Sequence, residues 1–198
     1  MDESKKQQVL DCADKIIEKC NELAKFEKND CGKFVDEKES EKLKGIKGVY
    51  LFASVDNTGN IKKIVRVGTH TSDGENSLIN RLRNHFNNNK DSSSFRKDIS
   101  KCEGYENSEK ISEYIGAFKI LIIEENDKTK REEIERKLIA TLSWAGFFSE
   151  KYRETDEVMK KSDNEFTRNY GLWVENEMFK EPILDINEVE EIFAKGIR

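Results

Sequence analysis

The chain has 198 residues, one proline, and 35 basic against 40 acidic side chains, a size suited to one core with appendages. Charged residues (38%) outnumber hydrophobic ones (35%), yet apolar runs such as Val49-Tyr50-Leu51-Phe52-Ala53 and Ile120-Leu121-Ile122-Ile123 exclude wholesale disorder. No stretch approaches the ~20 apolar residues of a membrane span, and no apolar signal core follows the first residues, so no membrane partner is expected and a cytoplasmic location is predicted.

Val9, Ala13, Ile16, Ile17, Cys20, Leu23 and Ala24 recur at three- and four-residue spacing, which predicts an amphipathic helix over about residues 4–28. Such a helix is either a scaffold element or a surface for a protein partner or self-association. Next come an apolar strand at about 48–54, the turn Asp56-Asn57-Thr58-Gly59-Asn60, and a second strand at 61–68, together an antiparallel hairpin. A helix is predicted from Ser77 to Asn87, a polar loop from Asn87 to Ser94, and a third strand from Ile115 to Glu124. A helix from Asn126 to Leu142 and a closing one from Asn187 to Ala194 complete the set. Cys12, Cys20, Cys31 and Cys102 form no CxxC pair and read as ordinary small side chains.

These elements predict an α+β fold: a small, mainly antiparallel three-stranded sheet flanked by helices. The boundaries are an N-terminal helical extension (1–44), a core (45–145) and a C-terminal extension (146–198) packed on the core through Tyr170-Gly171-Leu172-Trp173. Residues 45–101 carry ten basic and five acidic side chains, while both flanks are net acidic. That is either a face for a polyanion, with Arg83, Arg96, Lys97 and Lys101 as nucleic-acid contacts, or a lysine-rich solvated surface.

Some side chains stand out chemically. At ~100° per residue, Ile134, Leu138, Ile139 and Leu142 form one stripe, and Glu135 lies about 30° from its centre. A carboxylate turned inward is costly unless it binds a cation or pairs with an arginine. Arg81 and His85, four residues apart, share one helix side as a fixed cation and a proton-transfer group, or as a solvated pair. Tyr50 lies in an apolar strand, which predicts a core aromatic whose hydroxyl reaches a surface.

Four pieces occur in order: Gly48-Val49-Tyr50 on the first strand, Arg66-Val67-Gly68 on the second, Arg81-Leu82-Arg83-Asn84-His85 on the next helix, and Glu135-Arg136-Lys137-Leu138-Ile139 on a later one. Over about residues 45–143 this pattern resembles the GIY-YIG nuclease family. The resemblance implies a metal-dependent endonuclease acting on DNA, with RNA left open. Tyr50 would activate water, Arg81 would clamp the phosphate, His85 would assist proton transfer, and Glu135 would hold one Mg²⁺ or Mn²⁺. Arg66 departs from the pattern by standing where the family has its second tyrosine. It cannot act as a phenol but can bind phosphate, and strand alternation predicts that it points away from Val65 and Val67 toward the cleft. His70, in Gly68-Thr69-His70-Thr71, is a second histidine candidate. Asn164, Asn169 and Asn176 are candidates for the asparagine that often steadies the family's site. Beside the endonuclease stand two alternatives: a catalytically silent nucleic-acid-binding module, and a regulatory or assembly protein acting through its N-terminal helix.

Overall fold

The computed structural model describes residues 2–26, 43–174 and 182–198. In chain order these form α1 (Glu3–Glu22), β1 (Gly48–Val55), β2 (Ile61–Gly68), α2 (Ser77–Asn84), α3 (Ser94–Ile99), α4 (Ser108–Gly116) and β3 (Lys119–Glu124). After β3 come α5 (Lys128–Phe148), α6 (Glu150–Arg153), α7 (Glu157–Lys160), α8 (Glu165–Tyr170) and α9 (Ile186–Phe193). Asp2, Asp127 and Asp185 cap α1, α5 and α9 with their side chains, satisfying N–H groups that a helix start leaves without partners.

The three strands form one antiparallel sheet in the order β2-β1-β3. The hairpin turns at Asp56, whose Oδ1 accepts the N–H groups of Thr58 (2.8 Å) and Asn60 (3.0 Å), with Gly59 at φ 83°. Alternation along β1 divides the core. Tyr50 and Phe52, with Ile120 and Ile122 of β3, face Leu78, Ile79 and Leu82 of α2, Phe95 of α3, Ile111 and Ile115 of α4, and Trp173. Val49, Leu51 and Ala53 face Cys12, Ile16 and Cys20 of α1, Ile134, Leu138 and Leu142 of α5, and Phe193 of α9. The sheet is thus a middle layer between two helical layers.

The expected antiparallel sheet with flanking helices is therefore present, and several elements differ in detail. The apolar stripe of α1 is covered by the chain itself, because Val9, Cys12, Ala13, Ile16 and Cys20 have no exposed surface. That burial removes the reason for reading the helix as a surface for a partner or for self-association. The helix stops at Glu22 rather than near residue 28, since the following chain is needed as an edge. Phe26 pairs with Ile120, Ala24 N–H donates to Ile197 O, and Ile197 N–H donates to Ile122 O, so both ends of the chain cover the outer edge of β3.

Two short helices lie mainly in the stretch between the expected polar loop and third strand, where no element was predicted, and β3 begins at Lys119 rather than at Ile115. Ser93 accepts Arg96 N–H and starts α3 at the end of the expected polar loop, and Asn107 accepts Glu109 N–H and starts α4 before β3. The register shifts after Phe52↔Arg66 to Ala53↔Ile64, leaving Val65 as the extra residue of a β-bulge. Val65 therefore packs in the Tyr50 layer and Val67 in the opposite one, correcting the expectation that they share a face. Trp173 and Leu172 are buried, with Trp173 N–H donating to Val65 O on the outer edge of β2. Cys12, Cys20 and Cys102 are free, buried thiols; Cys31 and Asn176 lie outside the described residues.

Candidate active site

The centre of the site is a hydroxyl supplied by β1. Tyr50 and Gly68 are cross-strand partners, and a Cβ at Gly68 would stand 2.3 Å from Tyr50 Oη, so the ring crosses the strand where only glycine leaves room. Gly48 is required for a similar reason: a Cβ there would stand 2.2 Å from Ile123 O. The two glycines let the strands close around the tyrosine.

Tyr50 Oη receives a hydrogen bond from Arg81 Nε at 3.2 Å and lies 2.9 Å from His85 Nε2. The other ring nitrogen, His85 Nδ1, lies 3.0 Å from Ser93 Oγ. Leu78, Ile79 and Leu82 turn α2 onto the sheet, and the same rotation brings Arg81 and His85 over β1. His85 caps the C-terminus of this helix and has no exposed surface, with the rings of Phe52 and Phe95 edge-on at 5.3 Å and 5.7 Å. Burial, and then the guanidinium groups of Arg66, Arg81 and Arg96, hold its pKa well below the ordinary 6.5, so the ring is neutral. Tyr50 is likewise fully buried, and Arg81 is the partly exposed group that covers its hydroxyl.

Arg66 shares the Tyr50 face but is engaged internally. Nη1 donates to Trp173 O and Nη2 to Ser94 Oγ, both at 3.0 Å, and the guanidinium lies 5.0 Å from the centroid of Phe95. It is 6% exposed, so the expected projection into an open cleft is corrected by the C-terminal segment that lies over it. Its Nε–H has no hydrogen-bond partner.

Glu135 reaches the site from the opposite layer, at the edge of β2. Thr69 N–H is directed at its carboxylate. Burial raises its pKa, while the charges of Arg66 and Arg81 act in the opposite sense and Glu132 adds to the rise. The arginine charges that act on it are those of Arg66 and Arg81, which reach it from the Tyr50 layer. Among the described residues there is no group of three or more His, Cys, Asp or Glu side chains able to hold a metal. Of the described carboxylates, Glu135 is the one at this place that would hold a hard cation, with water and phosphate filling other positions, a ligand set that Mg²⁺ accepts.

The remaining candidates fall elsewhere. His70 is a latch between strand ends: Nδ1 lies 2.7 Å from Ser72 O, Nε2 receives Gly48 N–H at 3.3 Å, and Thr69 Oγ1 donates to Gly48 O. Both ring nitrogens are thereby used, and burial lowers its pKa, so His70 does not flank the Tyr50 hydroxyl as a free proton carrier. Arg96 has no exposed surface and donates to main-chain and hydroxyl oxygens within the fold, so it is not the surface contact predicted from the basic run.

Arg83, Lys97 and Lys101 are exposed. The two lysines line a cleft of about 630 Å³ together with Asp98, Asp163 and Glu165, so that cleft is not uniformly basic. Asn164 caps α8 and donates to Val174 O, and Asn169 donates to Glu165; both serve the C-terminal section. Ser93, Ser94 and Thr69 complete the site and carried no signal in the sequence beyond the capping potential of a serine run. Comparison of the chain with protein-family models, curated proteins and solved structures found no match.

Proposed function

We propose that the chain is a divalent-metal-dependent endonuclease that hydrolyses phosphodiester bonds in DNA. One observation carries the reading: a tyrosine hydroxyl hydrogen-bonded at once by an arginine and facing a neutral histidine nitrogen. A phenol is a weak base at its free pKa of ~10, and it acts on water only if its own proton has somewhere to go and the charge left behind is balanced. His85 Nε2 is the acceptor and Arg81 the balancing charge. As a water oxygen bonds to phosphorus, its proton passes to Tyr50 Oη and the phenol proton passes to His85. The bond from phosphorus to the leaving oxygen breaks, solvent protonates that oxygen, and His85 gives its second proton, which burial and Arg66, Arg81 and Arg96 oppose, back through Tyr50 to solvent. Arg81 stabilises the negative charge that gathers on the phosphoryl oxygens, and its move toward phosphate uncovers the hydroxyl.

Glu135 would hold Mg²⁺ or Mn²⁺, which when bound withdraws charge from phosphate and lowers the pKa of water. The part-buried carboxylate beside two guanidinium charges supports that role. Tyr50→Phe keeps the ring and removes the hydroxyl. The reading expects a folded protein without metal-dependent nicking of plasmid DNA, and nicking at the wild-type rate contradicts it.

A second reading, a nucleic-acid-binding module without turnover, is favoured by one feature: Arg66 stands in place of a phenol and is engaged by Trp173 O and Ser94. That reading expects a salt-sensitive gel shift without cleavage, and cleavage gained in Arg66→Tyr.

A further inference from the structure

The Arg96 side chain holds the main chain of His85, and its main chain meets the serine beside the ring. Its Nη1 donates to the His85 carbonyl oxygen at 2.9 Å; its main-chain N–H donates at 3.2 Å to Ser93 Oγ, the atom that meets His85 Nδ1. The other guanidinium hydrogen bonds go to Ser112 Oγ (2.9 Å), Asn89 O (3.2 Å) and both oxygens of Ser108. These partners are all neutral oxygens, and the side chain has no exposed surface. A cation held this way is a costly means of packing three segments together, because apolar side chains fill such a space without the desolvation penalty.

We propose that Arg96 is the positioning residue of the Tyr50–His85 pair, keeping the imidazole hydrogen on Nδ1, toward Ser93, and Nε2 open to the Tyr50 proton. For its use in cleavage this rests on the endonuclease reading; the tautomer itself belongs to the resting protein. Two proton arrangements connect the three groups; acidity favours one, and Arg96 holds the His85 main chain where that one can form. Arg81 can only donate, so Tyr50 Oη accepts from it, and the phenol, a far stronger acid than the Ser93 alcohol, is the better donor to a ring nitrogen. Around the ring, Arg66 comes from β2, Arg81 from α2 and Arg96 from α3, and all three oppose a second proton; Tyr50 from β1 and Ser93 offer neutral hydroxyls.

The test is nitrogen-15 NMR of the imidazoles in the full chain across pH 5 to 8, without DNA. There are only two histidines, so His70→Gln identifies the His85 signals. The proposal expects a single Nδ1–H tautomer in the wild type and no midpoint near the ordinary 6.5. Arg96→Lys keeps the charge and loses the fork, so the tautomers mix while the midpoint stays low. Arg96→Gln also removes the charge, so the midpoint rises. An Nε2–H tautomer in the wild type, or a folded Arg96→Gln with the wild-type tautomer and midpoint, overturns the proposal. Should neither variant at Arg96 fold, Ser93→Ala retains the arginine and removes the Nδ1 partner: mixed tautomers support the proposal and an unchanged single tautomer overturns it. A protein that cuts no DNA would count against the endonuclease while leaving the imidazole result standing.

Discussion

Tyr50 lies across Gly68: the two are opposite each other in the β1–β2 register, and a methyl group at Gly68 would stand 2.3 Å from the phenol oxygen and 2.4 Å from Cζ. The contacted atoms are a packed ring and its hydroxyl, so the ring has to move. Gly68→Ala should therefore destabilise the fold by roughly 1–3 kcal/mol, the usual cost of overpacking, and break the Tyr50–His85 hydrogen bond. Urea unfolding gives the first result and loss of the His85 tautomer preference the second.

Glu135 should trade stability against activity. Its carboxyl pKa is raised chiefly by burial, so the ionised form costs stability at neutral pH, and that cost is relieved as pH falls through the raised folded value. Glu135→Gln removes the charge at constant shape and should stabilise the fold at pH 7 by up to about 1 kcal/mol. The measurement is the thermal midpoint of both proteins at pH 7; a lower midpoint for the amide would show that the charge is compensated in the resting site.

Arg66 is built into the fold as well as into the site. Arg66→Met loses donors to Trp173 O and Ser94 Oγ and the stack on Phe95, and should destabilise by roughly 2–4 kcal/mol. Faster proteolysis in the 170–174 segment would localise the effect, because Trp173 N–H also pairs with Val65 O.

Lys63 should give the protein an alkaline stability window. It is 7% exposed, and its ammonium donates to Glu154 O. Burial lowers its pKa from 10.5 to about 8, with Asp156 and Glu154 opposing. The folded state carries the penalty of a buried cation in full below pH 8 and sheds it as pH rises toward 10.5, so stability should climb by about 3 kcal/mol across that window. Lys63→Met should flatten the climb, as read from the difference in urea midpoints between the two proteins at pH 7.5 and 10.

Much of the frame was legible because its signals are local. β1 and β2 follow from apolar runs around an Asp-x-x-Gly turn, and α5 from an aspartate cap and a four-residue stripe. What was not legible depends on contacts distant in sequence. The bulge at Val65 has no mark in the alternation of Ile64, Val65, Arg66 and Val67, and it decides which of them face Tyr50. Arg96 reads as one more charge in a basic run, and only the meeting of α2, α3 and α4 turns it inward. His70 matched the expected neighbourhood by sequence distance alone, and its nitrogens are used by Gly48 at the start of β1 and by Ser72 in the chain after β2. Arg81 and His85 were readable as a pair from their four-residue spacing, whereas Tyr50 joined them only through the family resemblance, and the meeting of its hydroxyl with both depends on how α2 packs on β1.

The surface basic residues set a separate expectation. Arg83, Lys97 and Lys101 are exposed, and if they meet phosphate, replacing each by alanine should weaken DNA binding without regard to sequence and reduce the salt slope by about one. Filter binding across a salt series reads both. A slope unchanged in the triple variant would move the DNA path away from α3.

The most direct measurement of the central claim is the nicking of supercoiled plasmid DNA by the purified full chain, with Mg²⁺ or Mn²⁺ and with chelator, beside Glu135→Gln. The account predicts cleavage by the wild type that requires the ion and disappears in the variant while DNA binding persists. Cleavage that survives chelator or Glu135→Gln, or its absence from a folded wild type under every metal condition, contradicts it.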